Sequence, residues 1–356
     1  MTYVVWFDDY RRELAPRLGG KCASLGELTT AGLPVPPGFA ITVEGHQAVC
    51  ATIADRLAEE LARCDPADPA ALASTCAELR ALVESCPVPD DIRDAIRNAY
   101  ARLGERCGVA DVPVAVRSSA TCEDSPDASF AGEHDTFLWV CGEQDVLGAV
   151  QRCWSSLFTE RAIAYRHKMG LATAPIAMSV AVQKMVHPKA AGVAFTLNPH
   201  NGDRSQIAID ASWGFGEAVV AGEVTPDNYL VDKVLSEITR RAVSAKTVEY
   251  TLRANGRGVQ QSEVPADRCS VPCLDDEEIK AVARLARRAE KHYGCPQDTE
   301  WAVDLDLPPD ERVLLLQSRP ETVWSRKRPT PVSAGAPSGY ASIVSTLVSP
   351  LHARKS

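Results

Sequence analysis

Apolar and polar positions alternate along this chain in two different periods. An apolar run from Val112 to Val116 hands over to Arg117 and a string of small hydroxyl residues, and a second apolar run starts at Phe137, which together predict a strand, a mobile loop and a strand. Upstream, Cys22, Leu25 and Leu28 fall at helical spacing, predicting a short helix that starts after Gly19-Gly20 and stops before Pro34. Three helical patterns follow, over roughly 46–64, 69–84 and 89–104, separated by Asp65-Pro66 and Pro87-Val88-Pro89. Gln144 to Met169 reads as one long helix or two, burying Val146, Val150, Trp154, Leu157, Phe158 and Ile163. Met178–Val186 and Gly192–Thr196 are strand patterns around a His187-Pro188 turn, Ile207 to Glu217 is a strand running into a glycine turn, and 275–293 is a charged amphipathic helix ending at Gly294.

Near the end, Asp298–Asp304 and Arg312–Arg319 flank Leu307-Pro308-Pro309-Asp310 and predict a hairpin. A turn symmetric about the two prolines sets Glu300 opposite Gln317. Strict alternation then puts Trp301, Val303, Leu314 and Leu316 on a core face, with Glu300, Ala302, Leu315, Gln317 and Arg319 on the other. From opposed positions a carboxylate and an amide oxygen can converge on one Mg²⁺ at about 2.1 Å from each, with Arg319 one step along for the phosphates the metal bridges. The same pattern equally describes a half-exposed polar face with a Glu–Arg ion pair.

Composition narrows the class. Hydrophobic residues make up 45% and charged residues 24% of 356 residues, ordinary for a globular protein with two or three domains or subdomains. A net charge of -9 argues against nucleic acid or an anionic membrane as the main partner, so any anion site must be local. No apolar run has the length of a membrane span and the start of the chain lacks the apolar core of a signal peptide, which predicts a cytoplasmic protein. The 12 cysteines are scattered, and the close pair Cys269 and Cys273 lacks a second pair at zinc spacing, so they read as reduced apolar residues.

The candidate chemistry is anion binding. Arg117 carries a permanent charge on a planar fork of donors at the mouth of a loop whose Ser118, Ser119, Thr121, Ser125 and Ser129 hydroxyls can donate, and whose Ala131-Gly132 lets the backbone approach a ligand. A surface loop with a structural arginine accounts for the same composition. Lys21 sits at a glycine-flanked helix start, where free N–H groups and the dipole favour phosphate, though alone it equally reads as a solvated lysine. Gln183, mid-strand among apolar residues, needs a partner, either a ligand or a neighbouring loop.

Assembled in order, the stretches GGKCASLGEL, GLPVPPGF, RSSATCEDSPDASFAGEHDTFL, FTLNPHNGDRSQIAIDASWGFGEAVVAGEVTPDNYLVDK and DTEWAV…LLLQSRP make the chain, from about Leu18 to Thr322, resemble the N-terminal ATP-binding domain of the phosphoenolpyruvate synthase and pyruvate phosphate dikinase family, which includes rifampicin phosphotransferase and phenylphosphate synthase. The resemblance implies an α+β, ATP-grasp-like fold whose two lobes close over Mg-ATP, divided as 1–189 and 190–324, with a linker-like tail over 325–356. It implies phosphate binding by Lys21, Arg117 and Arg319, metal binding by Glu300 and Gln317, and a nucleotide site lined by Gly132, Thr136 and Gln183. Cys22 stands where the family usually has glycine. The family's phosphohistidine setting is matched by none of the seven histidines. The resemblance therefore implies an ATP-binding subunit or separated domain that phosphorylates a histidine on a partner protein, releasing AMP and phosphate. Two other readings stay open: a self-contained small-molecule kinase forming ADP, and a non-catalytic nucleotide-sensing subunit.

Overall fold

A computed structural model describes residues 2–64, 68–121, 135–168 and 177–324, with the backbone of two short strands at 124–125 and 128–129. Two antiparallel sheets organise it. The first has the order β1 (Val4–Trp6), β2 (Gly38–Ile41), β7 (Met178–Lys184), β3 (Val114–Ala120) and β6 (Thr136–Val140). Strands β4 (Asp124–Ser125) and β5 (Ala128–Ser129) pair only with each other. The chain leaves β7 at Lys184 and enters the second sheet at Pro188, where β11 (Ile238–Ala242), β10 (Asp227–Asp232), β9 (Gln206–Trp213), β8 (Pro188–Phe195), β14 (Gln297–Asp304) and β15 (Val313–Pro320) lie side by side. A hairpin of β12 (Val248–Leu252) and β13 (Val259–Glu263) forms its own two-stranded sheet, bridged through Tyr250 to Gly214 at the end of β9. Residues up to Glu321 form one unit.

Alternation in the first sheet separates two environments. Val114, Val116, Val180, Val182, Phe39 and Ile41 turn to one side and pack under a helical layer of α2 (Val43–Ala51), α3 (Ala54–Ala62), α4 (Pro69–Ser85), α5 (Asp90–Cys107), α6 (Glu143–Ser155) and α7 (Glu160–Lys168). The predicted 46–64 helix is two helices, because Thr52 turns its hydroxyl back onto the Val49 carbonyl at 2.7 Å, an alternative to continuing the ladder. Helix α4 starts where the sequence says it should: Asp68 accepts from the N–H groups of Ala70 and Ala71, and Pro69 occupies the first position. On the opposite side of the sheet, Ala40 and Ala181 leave room for α1 (Gly19–Thr30), whose Cys22 and Leu25 pack there with Leu18, Val5 and Phe7.

Helix α1 belongs to both sheets. Its far end joins Leu28 and Leu33 to Leu315 of β15 and to Leu285 and Ala289 of α9 (Asp276–Tyr293), the helix that covers the second sheet. Ser24 donates to the Ser318 carbonyl at 2.9 Å, and the Leu315 N–H donates to the Pro34 carbonyl at 2.9 Å. Helix α9 opens on a capping box of Asp275 and Glu278 and closes on Gly294 at φ 70°, a left-handed position suited to glycine. Glu278, 2% exposed, also accepts from Lys189 and pairs with Arg312 at 2.8 Å, anchoring the helix to the starts of β8 and β15. A short α8 (Glu217–Val220) follows the glycine turn after β9. Among the described residues no helix is long and apolar enough to cross a membrane, and the described cysteines are all free.

Candidate functional site

The position of α1 is set by a glycine that tolerates close contact. Gly19 has φ 62°, and a Cβ there would meet the Ser119 carbonyl oxygen at 2.5 Å, so only glycine lets the helix start lie directly on β3. The helix thus includes both glycines, beginning two residues earlier than the sequence pattern predicts. Its N–H groups are not all open to a ligand: Ser119 Oγ accepts from the Cys22 N–H at 3.2 Å and donates to the Leu18 carbonyl at 3.1 Å. Ser179, across the strand pair from Ser119, donates to the same carbonyl. Ser118 Oγ donates to the Asp135 carbonyl at 2.9 Å. Ser118 and Ser119 are wholly buried inside β3, which corrects the expectation that their hydroxyls face an anion; they fix the helix start and the return strand instead.

Lys21, in the first turn of α1, donates its ammonium to the Ser118 carbonyl at 3.3 Å. Arg117, one residue before, lies on the α1 side of the sheet, opposite Ala181 on one flank and Thr136 on the other. Gln183 is on the same side, opposite Ala115 and Gly38, but is 2% exposed and donates to the Pro36 carbonyl at 3.3 Å, so the structure gives it a neighbouring loop as partner. Gly132 lies outside the described residues.

From β3 the Arg117 side chain reaches the second sheet. Nη2 donates to Glu300 Oε2 at 3.0 Å and to Gln317 Oε1 at 2.7 Å, and Nη1 donates to the Leu316 carbonyl at 2.9 Å. The hairpin pairs Glu300 with Gln317 as the turn symmetry predicts, but its register shifts beyond that pair, so that Trp301 faces Leu315, Ala302 faces Leu314, and Leu316 has no opposite residue. This β-bulge corrects the face assignment. Trp301 and Val303 share the α9 side with Leu315 and Val313, whereas Leu314 and Leu316 pack with Ala302 on the side that carries Glu300 and Gln317. One extra residue leaves a kink and an unpaired carbonyl, and here that carbonyl receives Arg117.

Arg319 is two residues along β15, 47% exposed, with Nε 3.6 Å from Asp298 Oδ2. Asp298 was not singled out from the sequence. It pairs with Arg319 across the hairpin and alternates onto the Glu300 side. Burial pushes its carboxyl up to about 6, against the pull of Arg319, and its Oδ1 has no hydrogen-bond partner among the described residues. Glu217, also missed, lines a cavity with Thr136, Arg253 and Arg257, and burial raises its pKa too. Only the alternation rule could have flagged Asp298, as the residue two before Glu300.

Among the described residues no group of three or more His, Cys, Asp or Glu side chains could hold a metal ion unaided. Glu300 and Gln317, whose oxygens already converge on one nitrogen of Arg117, fit a different case, in which a hard cation takes one or two protein oxygens and completes its shell with phosphates and water.

Residues 15–338 match the family model described as pyruvate phosphate dikinase, AMP/ATP-binding domain. A probable phosphoenolpyruvate synthase of Staphylothermus marinus is 41% identical over 349 residues, covering 92% of this chain and 42% of the relative. Another, of Methanothermobacter thermautotrophicus, is 44% identical over 324 residues, covering 90% and 46%. A rifampicin phosphotransferase of a Streptomyces species is 41% identical over 309 residues, covering 86% and 34%. The chain spans less than half the length of each of these relatives. With the match running through Lys21, Arg117, Glu300, Gln317 and Arg319 alike, the chain belongs to the family of pyruvate phosphate dikinase AMP/ATP-binding domains.

Proposed function

We propose that the chain binds Mg-ATP where the two sheets meet and supplies the nucleotide half of a dikinase-type transfer, in which one phosphoryl group passes to a histidine on a partner protein or domain and one water takes the other, releasing AMP and phosphate. The observation that carries this reading is the reach of Arg117 from β3 to Glu300 and Gln317, 183 and 200 residues away, with Lys21 on the next carbonyl. A permanent cation, a lysine and a carboxylate–amide pair in one place match what a triphosphate and its metal require.

In this reading the fold works as an ATP-grasp-like pair of lobes, residues 1–189 and 190–324, closing over the nucleotide. Lys21, Arg117 and Arg319 bind the phosphates and neutralise charge on the transferring group; Gly132 and Thr136 line the rest of the nucleotide site, whereas Gln183, spent on the Pro36 carbonyl, supports the wall behind it. Glu300 and Gln317 hold Mg²⁺, which when bound screens the phosphate oxygens and polarises the bond that breaks. Helix α1 keeps Lys21 in place because both sheets grip it. No nucleophile from this chain is needed. The 41–44% identity to proteins named phosphoenolpyruvate synthase supports the same reading.

A second reading, direct transfer of the γ-phosphoryl to a small hydroxyl compound with ADP as product, is favoured by the placement of Asp298: a carboxylate stands beside Glu300, where a base for a hydroxyl would be needed. Phosphorus NMR of the chain with ATP, Mg²⁺ and a histidine-bearing partner separates the two. AMP, phosphate and an acid-labile phosphohistidine are expected; ADP as sole nucleotide product contradicts the AMP-forming reading.

A further inference from the structure

The contact that defines the site also obstructs it. Arg117 Nη2 stands 3.0 Å from Glu300 Oε2 and 2.7 Å from Gln317 Oε1, the same two oxygens that would ligate the metal. Mg²⁺ needs such oxygens at about 2.1 Å and repels a guanidinium at that range, so the cation on the arginine and the cation from solution compete for one place. The arginine is held there by a third bond, to the Leu316 carbonyl at 2.9 Å, which the bulge in β15 leaves unpaired. The Arg117 side chain is 13% exposed against 32% for Glu300, so the guanidinium lies deeper than the carboxylate it holds, and that carboxylate stays partly open to solvent.

We propose that Arg117 is an interlock: in the nucleotide-free chain it occupies the metal position, and it yields that position only when phosphate oxygens offer its guanidinium a better partner. The interlock rests on the Mg-ATP reading above and adds a binding order to it. Free Mg²⁺ is excluded from Glu300 and Gln317, and metal and triphosphate enter together. Arg117 then has two stations, the carboxylate–amide pair and the phosphates, and the energy difference between them is the coupling between nucleotide and metal. The bulge residue Leu316 is a positioning element in this scheme, because its carbonyl fixes the first station.

The test is Mn²⁺ binding without nucleotide, followed by the EPR signal of the free ion. Arg117→Ala is expected to bind Mn²⁺ roughly tenfold tighter than the unaltered chain, and adding Glu300→Ala should abolish the gain. Arg117→Gln, which keeps a polar side chain but carries no charge to compete with the metal, should give a gain of the same sign. Equal or weaker Mn²⁺ affinity in a folded Arg117 variant overturns the interlock. If Glu300→Ala leaves Mn²⁺ binding unchanged even with a non-hydrolysable ATP analogue present, the metal assignment itself fails and the interlock falls with it.

Discussion

Two cation–carboxylate contacts in this molecule have similar bond lengths and opposite characters. Lys246 and Asp227 form one, at 2.6 Å with both side chains fully buried. Every oxygen of that carboxylate is engaged: Oδ1 also accepts from the Ser244 N–H at 3.0 Å, and Oδ2 accepts from the Tyr229 hydroxyl at 3.2 Å and the Cys273 N–H at 2.9 Å. Lys246 donates in turn to the Ser244 carbonyl. Arg117 and Glu300 form the other, at 3.0 Å, partly exposed, with the guanidinium shared among a carboxylate, an amide and a backbone carbonyl. A buried, saturated pair cannot exchange partners without leaving a bare charge in the core, so its task is to hold β10 to the segments around 244–246 and 273. A partly exposed, shared pair can be traded for a ligand at lower cost, because the incoming group replaces the partner before any charge is left bare. Accessibility and unspent bonding capacity, rather than the presence of opposite charges, distinguish the site from the scaffold.

Substitutions should pull the two contacts apart. The largest effect is expected from Glu300→Ala, which should lower turnover by on the order of 10³-fold or more while moving the unfolding midpoint little, checked by a nucleotide-product assay beside a urea melt. Asp227→Ala should do the reverse, costing roughly 3–5 kcal/mol in denaturant unfolding because Lys246 is left uncompensated; equal losses of stability in both variants would erase the distinction.

A third expected effect concerns pH. His46, 4% exposed on α2, has Nδ1 without a partner among the described residues, and burial lowers its pKa from 6.5 to about 4. The unfolded chain takes up this proton first, so stability should be intact above 6.5 and fall as pH drops from 6.5 towards 4, by on the order of 3 kcal/mol. His46→Gln should flatten that slope in melts run across the window, and an unchanged slope would assign acid sensitivity elsewhere. Smallest is Ser24→Ala, which removes the bond from α1 to the Ser318 carbonyl and should cost about 1 kcal/mol, with a weakening of nucleotide binding measurable by calorimetry.

Much of this division was open to sequence reading. Symmetry about the two prolines put Glu300 opposite Gln317, yet the pairs nearer the turn, Trp301–Leu315 to Val303–Val313, sit one residue off that register, and the bulge restores it at Glu300. The helices announced themselves through their 3.6-residue period, α4 over the first sheet and α9 over the second alike. The bulge at Leu316 did not, since one extra residue leaves no trace in a pattern that assumes strict alternation. The roles of Ser118 and Ser119 were hidden for a related reason: a hydroxyl at the head of a polar loop looks the same whether it meets a ligand or, as for Ser119, a helix start 101 residues away. The Asp227–Lys246 pair escaped notice because nothing in residue type separates a buried lysine from a solvated one.

The most direct test of the central claim is the structure of the chain crystallised with Mn²⁺ and a non-hydrolysable ATP analogue, with the metal located by its anomalous scattering. A Mn²⁺ peak between Glu300 and Gln317 is expected, with Lys21, Arg117 and Arg319 on the phosphate oxygens. A triphosphate bound away from these side chains, or a metal peak with neither Glu300 nor Gln317 among its ligands, would contradict it.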